Sequence, residues 1–234
     1  MTCVSVAISF ANLVFAEYRP LIVGIAVGEM SGVKGPASMQ VDMRGCQFFM
    51  KIAHGEYVKY NDPDLIFYRS RRTMKGRDLP HLKQAEMPSG YDWWFNEPKN
   101  AKNPWAGLMC ESISNFKWSL NPGREEISPE LQDIMDSNSL RCPADFDGEK
   151  WVKRRGSARF TNFNVVGGVG FMIDRKLKNG EAGSRFCFVH GEYVLIGVSG
   201  GEVGGGDEGR ESGGSIINFL KNIEFKSDDV PAKQ

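Results

Sequence analysis

The three histidines of the 234-residue chain are His54, His81 and His190, and two of them open the same pentapeptide, His54-Gly-Glu-Tyr-Val58 and His190-Gly-Glu-Tyr-Val194. A catalytic histidine needs a nucleophile within hydrogen-bond reach and a carboxylate to orient it. The chain has no Gly-x-Ser-x-Gly elbow, the turn that presents a serine nucleophile in lipase-type hydrolases. Cys187-Phe-Val-His190 places a thiol three residues from an imidazole. On a strand those positions point to opposite faces, so a half-buried cysteine followed by a turn histidine is the plainer reading. Asp62-Pro63-Asp64 sets two carboxylates around a proline, a spacing that serves turns more often than acid–base chemistry. No calcium loop follows it. These residues predict no catalytic group, no metal site and no cofactor.

Residues suited to binding are more numerous. Arg69, Arg71, Arg72, Lys75 and Arg77 form a basic cluster with Lys83 nearby. Such a cluster is a solvated loop, or it meets an acidic protein or an anionic lipid surface. Tyr91, Trp93, Trp94, Phe95 and Trp105 bring aromatics into the same stretch. Tryptophan, tyrosine and arginine dominate interface hot spots, and aromatics also stack on sugars and bases. The competing reading is a satellite core beneath the loop. Residues 200–214 read GGEVGGGDEGRESGG, glycine-rich like a phosphate loop but without its Gly-Lys-Ser/Thr. Glu202, Asp207, Glu208 and Glu211 against Arg210 make the segment acidic, which repels phosphate. It is a flexible surface loop, or an acidic finger that orders on a basic partner. The residues expected to meet a partner are thus Arg71, Arg72, Tyr91, Trp93, Trp94, Trp105, Glu202, Asp207 and Glu208.

The elements that must carry these residues read as α+β, mainly antiparallel sheet with a few helices. Cys46–Ile52, Glu56–Tyr60 and Leu65–Tyr68 are strand-like, with turns at His54-Gly55 and Asn61–Asp64. Pro80, Pro88, Pro98 and Pro104 predict a long irregular excursion over residues 70–107, since proline breaks helices and avoids central strands. Ser128-Pro129-Glu130 caps a helix running to Met135. Ala158–Phe163, Val169–Asp174, Arg185–Val189 and Glu192–Val198 follow as strands, with Lys178-Asn-Gly180 as a hairpin turn. Ser215–Asn222 is a closing helix and Ile223–Phe225 a last short strand. The boundary falls at the helix: residues 17–125 form a β-rich half and 126–234 an α+β half. The pentapeptide raises the expectation that the halves are similar units.

Composition bounds the partners. Lys plus Arg and Asp plus Glu number 29 each, so the chain is neutral. Neutrality argues against general nucleic-acid binding, which rests on phosphate neutralisation. Residues 1–16 resemble a signal peptide: Val4–Phe15 is apolar and uncharged, and Val14-Phe15-Ala16 suits cleavage after Ala16. A basic start is missing from Met1-Thr2-Cys3, which is expected if translation begins upstream. A buried N-terminal element is the alternative. The run is too short to span a bilayer. Removing Cys3 leaves Cys46, Cys110, Cys142 and Cys187, an even number that fits two disulfides in any of three pairings, or buried free thiols.

Arg185-Phe-Cys-Phe-Val-His-Gly-Glu-Tyr-Val-Leu-Ile-Gly197, with the closing Ile216–Phe225 segment, resembles periplasmic immunity proteins that neutralise type VI secretion lipase and phospholipase effectors. The resemblance covers about the last third of the chain and carries no diagnostic motif. It implies an exported, non-catalytic protein that occludes an effector's active site. An exported hydrolase with a site assembled from distant residues, and an envelope protein binding glycan or lipid, are the alternatives.

Overall fold

The computed structural model describes residues 21–24, 30–87, 90–96, 103–118, 128–154, 156, 158–176, 182–202 and 212–226. Its strands are β1 (Leu21–Val23), β2 (Met30–Lys34), β3 (Ala37–Met43), β4 (Cys46–Ile52), β5 (Glu56–Asn61), β6 (Asp64–Arg69), β7 (His81–Met87), β8 (Gly90–Asn96), β9 (Trp105–Ser112), β10 (Ala144–Phe146), β11 (Trp151–Lys153), β12 (Phe160–Val165), β13 (Gly168–Lys176), β14 (Ala182–His190), β15 (Tyr193–Glu202) and β16 (Glu224–Phe225). Helix α1 spans Pro129–Arg141 and α2 spans Ser212–Lys221. The class is α+β and sheet-dominated, as the alternation of apolar residues implied.

An eight-stranded antiparallel sheet in the order β12-β13-β14-β15-β9-β6-β5-β2 is the frame. The two halves of the sequence meet inside it, where Tyr193–Gly200 of β15 pairs with Trp105–Ser112 of β9. Outward from that seam each half lays down its strands in reverse chain order. A second sheet, β1-β3-β4-β16, joins the C-terminal β16 to N-terminal strands. Beyond these, β7 pairs with β8 and β10 with β11.

Both faces of the central sheet are covered, which is why β6 and β9 are apolar without alternation. Leu65, Phe67, Leu108, Phe186, Phe188 and Leu195 share one core with Met39, Val41, Phe48 and Met50 of the second sheet and with Phe219 and Leu220 of α2. Ile66, Tyr68, Trp105, Met109, Phe171 and Ile196 share the other with Trp93, Phe95, Phe116 and Trp151. Each outer layer is stapled to the sheet. Cys46 of β4 bonds Cys110 of β9, and Cys142, just past α1, bonds Cys187 of β14. Cys110 pairs with Leu195 and Cys187 with Ile196, so the two crosslinks leave from opposite faces. One of the three open pairings is thereby selected.

The excursion over residues 70–107 departs from expectation. It contains the β7–β8 hairpin and the start of a central strand. Pro80 and Pro104 directly precede β7 and β9, so these prolines delimit strands where the chain needs no ladder donor. Helix α1 runs six residues beyond Met135, to the residue before Cys142. The turn 178–180 and residues 1–16 lie outside the described residues, although Lys176 pairs with Ala182 across that turn.

Candidate functional site

The β7–β8 hairpin lies across one face of the central sheet and divides it. Alternation turns Trp93 and Phe95 down into the core and Trp94 up. Phe95 rests on the sheet at Gly107, where a Cβ would come within 2.6 Å of its ring. Only a glycine allows that approach. Trp93 and Trp105 are 5% and 4% exposed, so the exposed placement expected of both on a surface loop is corrected: both pack in the core beneath the hairpin. Trp94 is 46% exposed and pairs across the hairpin with exposed Lys83.

Beside Trp94 runs a groove of about 290 Å³ whose walls include Leu140, Arg141, Arg185, Ile196 and Val198. Leu140 is 57% exposed on the last turn of α1. Arg185 Nη1–H donates to the Leu140 carbonyl at 2.8 Å, a cation placed at the negative end of the helix. Beneath the groove lies a polar network. The Trp93 indole donates to Glu111 Oε1 at 2.8 Å, and Arg141 pairs with the other carboxylate oxygen. Arg141 also donates to Asn138 Oδ1 at 3.1 Å, while Asn138 Nδ2 donates to the Lys117 carbonyl at 2.9 Å. The guanidinium sits 4.8 Å from the Phe116 ring centroid, and its buried Nε–H has no partner among the described residues. With the Cys142–Cys187 bond this network fixes the end of α1, and hence Leu140, against the sheet. Leu140 and Arg185 escaped sequence reasoning. An exposed leucine at a helix end gives no periodic signal, and Arg185 reads as an ordinary strand residue.

On the other side of the hairpin a second groove, of about 410 Å³, lies over β2, β5 and β6. Tyr57 and Tyr68 stack in its floor with centroids 5.2 Å apart. Burial pushes the Tyr68 hydroxyl up, partly offset by a hydrogen bond from the Met74 backbone N–H. Lys34 and Lys59 stand in this groove, and Arg71 and Arg72 lie exposed on the segment after β6 that closes it. Asp64, buried under β7, is raised above the usual carboxylate range by desolvation, against hydrogen bonds from the Leu82 and its own backbone N–H and the nearby Lys59 and His81 charges. Tyr60, desolvated and beside Asp62, is raised to about 12.

A third cleft, of about 500 Å³, opens at the same end of the sheet between its strands and α2. Trp105, Phe67 and Phe219 line it, with Lys51, Asn218 and the Glu56–Arg69 ion pair. Glu202 ends β15 at this end, and Tyr91 lies on β8. Asp207 and Glu208 fall outside the described residues, as does most of the glycine-rich segment.

The sequence motifs for chemistry resolve into structural roles. Cys187 is disulfide-bonded, so no thiol faces His190. His190 Nδ1 meets the Gly167 carbonyl at 2.6 Å and its ring stacks on Phe225. Asp62 pairs with Arg44 at 2.6 Å. Among the described residues no group of His, Cys, Asp and Glu could hold a metal, and no helix is long and apolar enough to cross a membrane. Two disulfides are compatible with export to an oxidising compartment.

No family model, no curated protein and no solved structure matches this chain.

Proposed function

We propose that the protein binds and inhibits a secreted antibacterial effector, as a periplasmic immunity protein does, by presenting the β7–β8 ridge to the effector's active-site cleft. The observation that carries this reading is the pairing of exposed Trp94 and Leu140 at one groove. Large exposed apolar side chains rimmed by arginine are what interface hot spots are built from. They stand on a base held by a disulfide and the Glu111–Arg141 network, so little ordering entropy is spent on binding. The reading assigns no reaction to the chain.

The test is protection. Effector candidates encoded beside the gene are exported in a sensitive host together with this protein, and growth is followed. Wild type should restore growth, whereas Trp94→Ala combined with Leu140→Glu should weaken the complex about 30-fold or more and lose protection, with the unfolding midpoint kept. Equal protection by the variant, or binding without inhibition of the purified effector, would overturn the reading. The cleft beside Trp105 favours a second one, an envelope glycan or lipid ligand, because aromatics and the Asn218 amide share its lining. Chemical-shift changes at Trp105 with murein fragments or lysolipid, and none with effectors, would decide for it.

A further inference from the structure

The neutral total conceals a strong local imbalance. Lys34, Lys59, Arg71, Arg72, Lys75 and Arg77 surround the groove over β2, β5 and β6. Of the acids near it, Asp78 is a loose 3.9 Å partner of Arg77 and Asp64 is buried under the hairpin. Glu56 lies close by but is taken up by Arg69. Arg71, Arg72, Lys75 and Arg77 are exposed and sit on an irregular segment ending in the short turn Gly76–Asp78. The groove floor is apolar, with Val33, Met74, Leu79 and the stacked tyrosine pair.

We propose that this face docks on an anionic bilayer, one phospholipid headgroup entering the groove while the surrounding cations meet its neighbours. Charge complementarity selects an anionic occupant. The spread of the cations selects a membrane over an acidic protein. Four of them, Arg71, Arg72, Lys75 and Arg77, are exposed long side chains on a loop, where the Arg77–Asp78 contact is a loose 3.9 Å, and a headgroup layer rearranges laterally to meet them. An acidic protein surface would need carboxylates at matching fixed positions. An apolar floor about 410 Å³ in volume, ringed by lysines, accepts a glycerophosphate headgroup with its glycerol end inward. Clusters of four or more basic residues have sufficient attraction for this. The inference rests on cations and a groove other than those of the Trp94 ridge.

The experiment is co-sedimentation of the whole chain with phosphatidylethanolamine vesicles, with and without one-third phosphatidylglycerol. Binding should require the anionic lipid and fall steeply between about 0.1 M and about 1 M salt, as the Debye length shrinks from about 10 Å to about 3 Å. Arg71→Glu with Arg72→Glu should lower partitioning about 25-fold or more, at about fivefold for each cation removed. Lys221→Glu, exposed on α2 across the sheet, should leave it unchanged. Equal sedimentation with neutral vesicles overturns the proposal, as does an equal loss from Lys221→Glu. Saturating inorganic phosphate that abolishes binding would make the site one for free phosphate. Poly-glutamate that displaces the vesicles at equal charge concentration would point to an acidic protein; either result sinks the membrane reading. Trp94→Ala should bind vesicles like wild type, so the failure of one proposal is distinguishable from failure of the other.

Discussion

The segments His54–Val58 and His190–Val194 are identical in sequence and opposite in use. Both turn at a glycine with positive φ, 80° at Gly55 and 53° at Gly191. After the first, the chain leaves the four-stranded sheet and enters the central one: β4 pairs with β3 and β16, β5 with β2 and β6. After the second, the chain folds straight back, with His190 paired to Tyr193. The side chains follow the surroundings. Glu56 is buried, accepts from Ala53 N–H at 2.8 Å and pairs with Arg69, whereas Glu192 is exposed. Tyr57 is stacked on Tyr68 and 6% exposed, whereas Tyr193 lies 37% exposed against Gly45. His54 is exposed, and His190 is held by Gly167 and Phe225. Five residues specify a turn; the partners of the flanking strands specify everything else.

Paired substitutions measured by urea unfolding bear directly on that contrast. Tyr57→Ala should cost about 3 kcal/mol, the range for a buried aromatic, against about 1 kcal/mol for Tyr193→Ala. Similar losses at both sites would break the comparison. Glu56→Ala removes the acceptor of the Ala53 N–H and half of an ion pair whose arginine is 53% exposed. That exposure weakens the Coulomb part, so about 2 kcal/mol is expected, and within about 0.5 kcal/mol for Glu192→Ala. At the histidines the order reverses: His190→Ala should cost about 1 kcal/mol through its stack and hydrogen bond, and His54→Ala nothing measurable.

The smallest effect is in pH. The hairpin opened by the first pentapeptide turns back at Asp64, the first residue of β6, whose proton affinity is raised by burial. A raised folded-state value means that its contribution is complete below the ordinary carboxylate range and is lost as pH rises through the folded value. Wild type should therefore lose stability relative to Asp64→Asn between acid and neutral pH. A flat difference between the two unfolding curves would show that Asp64 is solvated.

Much of the fold was legible because alternation, turn chemistry and caps are local. The strands read at Cys46–Ile52, Glu56–Tyr60 and Glu192–Val198 and the helix start at Ser128 follow from a few adjacent residues, although β15 runs on to Glu202 in the segment read as a loop. What stayed hidden is set by distant partners. Prolines 80 and 104 read as breakers because nothing in the sequence tells that strands resume at the next residue. Trp93 and Trp94 are adjacent and alike in type, and strand parity alone buries one and exposes the other. The groove between Trp94 and Leu140 needs α1, β8 and β14 together, which no window of sequence contains. The repeated pentapeptide suggested similar halves. The strand order does repeat, but the pentapeptide precedes the second strand outward-to-centre in one half and the fourth in the other.

Both disulfides close within a half, Cys46 with Cys110 and Cys142 with Cys187, and the halves meet along the β9–β15 ladder and where β16 joins β4. Residues 119–127 are consequently the one covalent tie between them, even in the oxidised protein. A protease cut there would turn folding into an association equilibrium between two crosslinked fragments. The nicked molecule should stay assembled in buffer, come apart in urea without any reductant, and show an unfolding midpoint that climbs with protein concentration.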